Sequence, residues 1–291
     1  GLGEELQLGL QVLVRELVQL YEAFANGRSS TLPELTIQYV DFAAWQRERL
    51  QGEVLDKQVS YWKEKLAGAP SLLELPADRP RPPVQSFHGA RQAVVIPQEL
   101  TESLRELGES QNATLFMTLL AAFEVLLFRH TGQDDLVVGV PITGGNNPEL
   151  ANLIGFFINS LPVRTDLSGN PTFRELLGRV REAALGAYEH QDLPFEKLVE
   201  VSQPERDTSY SPLFQVMCHL DNTGAPALAL PGLRLTPLHA DTGTSKFDLT
   251  LDLVELSTGL KGWLEYSTDL FDEATIQRLS ERFQVLLKAA V

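Results

Sequence analysis

The chain has 291 residues, 43% of them hydrophobic, which is enough for one large domain or two ordinary ones with buried cores. Its formal net charge of −15 argues against a nucleic-acid partner, because phosphate binding relies on clustered Lys and Arg. No run approaches the roughly 20 apolar residues of a membrane-spanning helix and no signal-peptide pattern opens the chain, so we expect a cytoplasmic protein without a membrane partner.

The first third of the chain predicts helices followed by an irregular connection. Apolar residues at spacings of three, four and seven predict one stripe of a helix that ends near Asn26 and Gly27. The segment YVDFAAWQRERL predicts a short turn, and VLDKQVSYWKEKLAGAP predicts a second amphipathic helix that ends at Gly68 and Pro70. The proline-rich segment LPADRPRPPVQSFHG excludes a helix or a central strand. The apolar stripe of the first predicted helix, which ends near Asn26, consists of Leu10, Leu13, Leu17, Leu20, Tyr21 and Phe24.

Beyond this connection, strand and helix patterns alternate. Predicted strands are ARQAVVIP, DDLVVGVPI, residues 157–163, LFQVMCHL, KFDLTLDLVEL and LKGWLEYST. Predicted helices are QELTESLRELGESQ, TLFMTLLAAFEVLLFRH, residues 173–190 and residues 272–290. The third of these helices opens on Asn170 and Pro171, a plausible cap with proline in the first turn. This order predicts an α/β fold with a mixed β-sheet flanked by helices.

General catalytic patterns are absent from the sequence. It contains no GxxxxGK[ST], GxGxxG, HExxH or GxSxG. The five histidines lie in five different segments without the spacing of metal ligands, so we predict no metal site. The single cysteine, Cys218, is predicted to be a small core residue within a strand.

Four segments in chain order carry a more specific signal: YVDFAAW (39–45), IGFFINSLPVR (154–164), HQDLPFEKLVE (190–200) and RDTSYSPLFQVM (206–217). They resemble the motifs YxDYAxW, IGxFxNTLxxR, HQDxPFExLVE and RDxSxxPLFQVM of the condensation domains of nonribosomal peptide synthetases. That family has a chloramphenicol-acetyltransferase-like fold of two lobes. The resemblance covers roughly residues 10–291.

The resemblance implies an amide-forming acyltransferase. In the family, an amine on one carrier protein attacks the thioester on another, inside a tunnel between the two lobes. The implied partners are the donor and acceptor peptidyl carrier proteins, the N-terminal lobe and adjacent synthetase domains. Phosphopantetheine arms come from the carrier proteins, so the resemblance implies no cofactor bound by the chain itself. It also divides the chain into a helical remnant of the N-terminal lobe (1–75), a Pro-rich connection (76–90) and a C-terminal lobe (91–291).

The family's histidine motif HHxxxDG does not occur in the chain. In register it would fall on residues 1–7, which read GLGEELQ. One interpretation is the C-terminal part of a condensation domain, inactive alone. The alternative is a degenerate, non-catalytic docking module that recruits carrier proteins or tailoring enzymes. We favour the first because the resemblance is strong from Val12 onward and ends before it. A free-standing acyltransferase acting on a soluble thioester is a third, weaker hypothesis.

The resemblance also suggests residues that line the tunnel. Asn159 is predicted to hydrogen-bond the acceptor or the developing oxyanion, although it could equally cap a bend before Pro162. The segment VVGVPITGG resembles the family's GxPxxxR tunnel floor, but glycine or asparagine stands where arginine is common. Ser245 opens a family-like strand, in which alternation would place Lys246 and Asp248 on one face, where they would form an ion pair with each other or across strands. The tunnel candidates are Asn159, Ser160, Pro141, Thr143 and Ser245.

The other matched residues are predicted to be structural. Tyr39, Asp41 and Trp45 would fix the loop between the first two helices, Arg164 would close a strand, and His190 would hydrogen-bond at a helix end. The LFQVM stretch resembles the segment that reaches across to the other lobe, so we expect it to form an unpaired sheet edge with exposed apolar surface. The full set is Tyr39, Asp41, Trp45, Arg164, His190, Asp192 and Arg206.

Overall fold

A computed structural model of the chain describes residues 2–143, 150, 152–204, 207–222, 229–230, 233–234 and 242–291. Within these, side chains are described for residues 12–142, 150, 152–204, 207–222 and 242–291. The chain divides into two compact units. The first comprises Gly1–Lys57, Thr143–Asn159 and Ala225–Ala240, and the second comprises Gln58–Ile142, Ser160–Gly224 and Asp241–Val291. The domain limits expected from the sequence, at residues 75, 76–90 and 91, stay predictions.

Helices and strands alternate along most of the described chain. The helices are α1 (Leu2–Ala25), α2 (Tyr39–Arg49), α3 (Gly52–Leu66), α4 (Gln98–Ser110), α5 (Leu115–Thr131), α6 (Phe173–Glu189), α7 (Phe195–Ser202) and α8 (Glu273–Ala290). The strands are β1 (Gly89–Pro97), β2 (Asp135–Thr143), β3 (Ile158–Asp166), β4 (Val216–Asp221), β5 (Ala229–Leu230), β6 (Leu233–Arg234), β7 (Leu249–Leu256) and β8 (Gly259–Ser267).

Six strands form one sheet in the order β1-β8-β7-β4-β2-β3. Strand β8 pairs antiparallel with β1 and with β7, whereas β4 pairs parallel with β7 and with β2. The predicted mixed sheet is therefore confirmed. A separate antiparallel pair joins β5 and β6.

Strand β4 corrects one prediction. The LFQVM stretch was expected to be an unpaired edge, but β4 lies between β7 and β2, and Phe214, Val216 and Met217 are buried. Both neighbouring strands belong to this chain: β4 pairs with β7 from Val216 to Asp221 and with β2 at Met217, opposite Gly139. Cys218 on β4 is buried, as the sequence predicted.

One element and one helix cap differ from the sequence prediction. Residues 39–49 form helix α2 instead of a short turn, because the Asp41 carboxylate accepts a hydrogen bond from the backbone N–H of Gln38 at 2.8 Å and caps the first turn. Helix α6 begins at Phe173, as predicted, but its cap is Thr172 and not Asn170 or Pro171. Thr172 and Glu175 exchange backbone and side-chain hydrogen bonds in a capping box, which satisfies the free N–H groups of the first turn.

Helices α4, α5 and α8 pack on one another and build the core of the second unit. Phe123 of α5 meets Phe283 of α8 edge to face at 6.2 Å, and both rings are fully buried. Helix α5 is apolar on nearly every side, as expected of a buried helix. Among the described residues, no single helix has both the length and the apolar composition to cross a membrane; α4 and α5 meet that test only together, across a 100° bend.

Helix α1 ends where the sequence predicts, but its apolar stripe is largely uncovered. Leu13, Leu17, Tyr21 and Phe24 are exposed by 49%, 62%, 43% and 63%. Val12 is buried. Leu13, Leu17, Tyr21 and Phe24 of the predicted stripe thus form an apolar surface on the first unit, whereas the side chain of Leu10 lies outside the described ones.

Candidate functional site

The segment that precedes β3 is held by α2 within the first unit. The Tyr39 hydroxyl donates a hydrogen bond to the Phe156 carbonyl at 3.0 Å. The rings of Tyr39 and Phe42 meet the ring of Phe157 edge to face, with centroids 5.3 and 5.0 Å apart. Two of the four resemblance motifs, YVDFAAW and IGFFINSLPVR, therefore contact each other.

Asn159 and Ser160, two of the tunnel candidates, are the second and third residues of β3, and both are partly buried. The same segment is anchored at its other end, where Arg15 donates to the Asn152 side-chain oxygen at 2.7 Å. Trp45 is exposed by 48%, lies 5.9 Å from Phe42 and carries the Arg49 guanidinium 5.1 Å above its ring. The segment that leads into β3 and Asn159 is thus held near both of its ends, by Arg15 of α1 at Asn152 and by Tyr39 of α2 at Phe156.

The remaining tunnel candidates lie on β2 and before β7. Pro141 is a partly buried residue of β2, and Thr143 ends that strand. Gly145 and Asn146, which bear on the tunnel-floor motif, lie outside the described residues. The hydroxyl of buried Ser245 donates to the Phe247 carbonyl at 2.6 Å, so it fixes the backbone that leads into β7.

An ion pair beside Ser245 differs from the predicted Lys246–Asp248 pair. Asp248 is 1% exposed, and its carboxylate binds both terminal nitrogens of Arg81, with 2.9 Å between Nη1 and Oδ1. Burial raises the pKa of Asp248, and Arg81 opposes that shift. Arg81 lies in the proline-rich connection, 167 residues from Asp248, so no local sequence pattern could have indicated the pair.

Arg164 lies near the end of β3 and forms a salt bridge with Asp135. Its Nε and Nη2 donate to the two carboxylate oxygens of Asp135 at 2.8 and 2.7 Å. Nη1 donates to the carbonyls of Lys65 and Ala67. Hydrogen bonding to Asp135 raises the pKa of Arg164 further above its usual range. Arg164 therefore ties β3 to β2 and to the end of α3.

His190 caps the C-terminal end of α6 and joins it to α3. Its ring stacks on Tyr61 with centroids 3.7 Å apart, and Nδ1 lies 2.9 Å from the Gly186 carbonyl. The Trp62 indole donates to the His190 carbonyl at 2.9 Å. This geometry supports a structural role for the HQD motif. Asp192 lies partly buried in the turn that follows, and Arg206 lies outside the described residues.

Sequence reasoning missed a buried carboxyl group in α5. Glu124 is fully buried; its Oε1 accepts a hydrogen bond from Thr165 at 3.0 Å, and Oε2 has no partner among the described residues. Burial raises the pKa of Glu124 to about 8. The lone charge in LLAAFEVLLF was the available signal.

Burial, together with Glu124 and Asp252, raises the pKa of the Cys218 thiol, which argues against a nucleophilic role.

A second missed group is the pair of His219 and Asp252 on adjacent strands. His219 Nδ1 lies 3.0 Å from Asp252 Oδ1, and the two residues are register partners in β4 and β7. Both side chains are about one-fifth exposed. Among the described residues, no three His, Cys, Asp or Glu side chains are grouped as metal ligands.

A cavity of about 660 Å³ opens between α7 and the segment that follows it. Its walls combine three carboxylates with valine and proline side chains, and no described histidine or cysteine lines it. The lining residues are Glu196, Val199, Glu200, Gln203, Pro204, Asp207 and Pro212.

Comparison with known proteins extends this description. A family described as Condensation domain matches residues 8–291. One of the linear gramicidin synthase proteins of Brevibacillus parabrevis is 55% identical over 282 residues, which cover 96% of this chain and 4% of the synthase protein. Phosphinothricin tripeptide synthetase PhsC from Streptomyces viridochromogenes is 42% identical over 281 residues, which cover 96% of this chain and 26% of the synthetase. The chain thus spans a small part of these relatives.

Solved structures show the same fold over nearly the whole chain. The X-domain from teicoplanin biosynthesis superposes with a TM-score of 0.88 at 32% identity, covering 97% of this chain and 66% of that structure. AB3403, a four-domain nonribosomal peptide synthetase, superposes with a TM-score of 0.87 at 26% identity, covering 97% of this chain and 22% of that structure.

Proposed function

The chain belongs to the condensation-domain family of nonribosomal peptide synthetases, and we propose from that membership that it supplies one side of a site that forms an amide bond. The match over residues 8–291 is the observation that carries the proposal. Donor and acceptor peptidyl carrier proteins would present the substrates on phosphopantetheine arms, within a cytoplasmic synthetase whose adjacent domains are further partners.

The reaction joins two tethered groups. The amine nitrogen of the acceptor forms a bond to the thioester carbon of the donor, the carbon–sulfur bond breaks, and the amine proton passes to the departing thiolate. Holding two reactants in place can lower such a barrier by roughly 7 to 11 kcal/mol. Positioning is therefore the main contribution that we expect from this lobe.

Asn159 is the residue that we propose for direct contact with the reacting groups. Its side-chain amide offers two N–H donors and one acceptor, which suits either a developing oxyanion or the acceptor amine. Asn159 lies within the family-like IGFFINSLPVR segment and at the start of β3. Ser160, Pro141, Thr143 and Ser245 remain proposed tunnel residues.

The catalytic histidine of the family would come from elsewhere. The 291 residues contain no HHxxxDG, so we propose that amide formation needs a lobe carrying that motif and that this chain alone is inactive. The exposed stripe of Leu13, Leu17, Tyr21 and Phe24 on α1 supports this proposal, because uncovered apolar surface of this kind favours a packing partner.

A non-catalytic docking module is the second candidate. The observation in its favour is the likeness, at 32% identity, to the X-domain from teicoplanin biosynthesis, which has also been solved as a complex with OxyB. On this alternative, the chain would recruit carrier proteins or tailoring enzymes without forming an amide.

Intact mass spectrometry of two loaded carrier proteins separates the two candidates. We expect the acceptor carrier protein to gain the mass of the donor acyl group when a lobe with HHxxxDG is joined to the chain. The matched control carries alanine at the second histidine of that added lobe and should give no product. A complete domain that binds both carrier proteins and yields no amide would refute the enzymatic proposal and favour the docking module.

A further inference from the structure

We propose that Tyr39 and Phe42 of α2 are positioning residues that clamp residues 155–157 and thereby set the place of Asn159. This inference rests on the proposed function in that it takes Asn159 as the residue that meets the reacting groups. It assigns to the YVDFAAW motif a task beyond fixing the loop between two helices.

The contact between Tyr39 and Gly155 leaves no room for a larger residue. A Cβ added at Gly155 would stand 2.2 Å from Cδ2 of Tyr39, well inside van der Waals contact. The Tyr39 hydroxyl also donates to the carbonyl of Phe156 at 3.0 Å. The tyrosine ring therefore rests on the backbone of the segment and holds it by a hydrogen bond at the same time.

Aromatic packing holds the next residue. The interplanar angle is 78° between Tyr39 and Phe157 and 63° between Phe42 and Phe157, and edge-to-face contact is the arrangement that aromatic quadrupoles favour. The ring centroids of Tyr39 and Phe42 are 6.0 Å apart on the same side of α2. Two rings from one helix thus flank the ring of Phe157.

The clamp is itself anchored. The Asp41 carboxylate accepts from the Gln38 backbone N–H at 2.8 Å and fixes the first turn of α2, which carries Tyr39. On the other side, Arg15 of α1 holds Asn152 at 2.7 Å. The segment between residues 152 and 157 is therefore restrained by α1 and α2.

The spacing along the chain connects the clamp to Asn159. Strand β3 begins at Ile158, directly after Phe157, and an extended chain advances about 3.3 Å per residue. Asn159 is thus two residues beyond the clamped ring, so a shift of Phe157 moves Asn159 with it. Misplacement of a reacting group by about 1 Å can cost roughly 100-fold in rate.

The clamp can be tested on the chain itself, without any assumption about activity. The variants are Tyr39→Phe, Phe42→Ala and Gly155→Ala, with Val40→Ala as the matched control, because Val40 is on the same helix and 66% exposed. We expect the first three to shift the side-chain amide resonance of Asn159 and to speed amide exchange at residues 156–159 by about tenfold or more. An Asn159 resonance that stays in place in all three variants would overturn the proposal.

Rates in the complete condensation domain test the positioning role. We expect single-turnover amide formation to fall about 3- to 10-fold in Tyr39→Phe and about 10- to 100-fold in Phe42→Ala, with KM for the carrier proteins unchanged. Phe42→Tyr, which keeps the ring and places the residue of the family motif there, should restore the rate.

An altered Asn159 resonance with an unaltered rate would also overturn the positioning role of Tyr39 and Phe42. A wild-type domain that makes no amide would instead refute the proposed function, and the resonance measurement would still decide the clamp.

Discussion

Replacing Glu124 by glutamine should abolish a pH-dependent loss of stability. Burial raises the pKa of Glu124 from 4.5 to about 8, so between these values the folded chain holds a proton that the unfolded chain has released. The free energy of unfolding should then fall by about 1.4 kcal/mol per pH unit as pH rises through this window. Over the whole span from pH 4.5 to 8 the loss reaches at most about 5 kcal/mol, and relaxation around the carboxylate lowers the expected effect to about 2 to 4 kcal/mol.

Glutamine keeps the Oε1 atom that accepts from Thr165 and cannot ionise. Urea denaturation from pH 5.5 to 8.5, followed by tryptophan fluorescence, measures the difference between wild type and Glu124→Gln. We expect the variant to gain up to about 3 kcal/mol relative to the wild type between pH 5.5 and pH 8.5, because about 1.4 kcal/mol of the loss already occurs below pH 5.5. Glu109→Gln, at an exposed position, is the control and should track the wild type. A difference between wild type and Glu124→Gln that is constant across this range would refute the reasoning.

Two further substitutions test the packing of the second unit by the same denaturation assay. Arg81→Ala should lower the free energy of unfolding by about 3 to 5 kcal/mol at pH 7, because it leaves the buried Asp248 carboxylate without its partner; a loss below about 1 kcal/mol would contradict this. Gly139→Ala should cost about 1 to 3 kcal/mol, because its Cβ would stand 2.2 Å from the Phe214 ring. Gly178→Ala, where a Cβ meets open space, is its control and should not destabilise.

The strands of the sheet and the helices between them were predicted well from the sequence, because their signals are local. Alternation in residues 249–256 and the apolar run of α5 depend only on neighbouring positions. The prediction that the LFQVM stretch forms an unpaired edge was wrong, because the pairing of a strand is set by distant segments, here β7 and β2. Helix α2 was missed because the short YVDFAAWQRERL segment shows little amphipathic pattern and depends on the cap that Asp41 provides.

The candidate site was predictable only in part. Motif resemblance singled out Asn159 and Tyr39 separately. The hydrogen bond from Tyr39 to Phe156 joins residues 117 apart, a contact that no spacing rule reveals. The same holds for Arg81 and Asp248, because the guanidinium and the carboxylate meet only in the folded second unit.

The rate of amide formation in wild type and Asn159→Ala is the most direct test of the role proposed for Asn159. In a complete condensation domain with two loaded carrier proteins, intact mass should show the acceptor carrying the donor acyl group. We predict that Asn159→Ala slows this step by roughly 100- to 1000-fold, the range typical of losing one preorganised hydrogen-bond donor. Equal rates for the two proteins would contradict the assigned role of Asn159, and the absence of product from the wild-type domain would contradict the account as a whole.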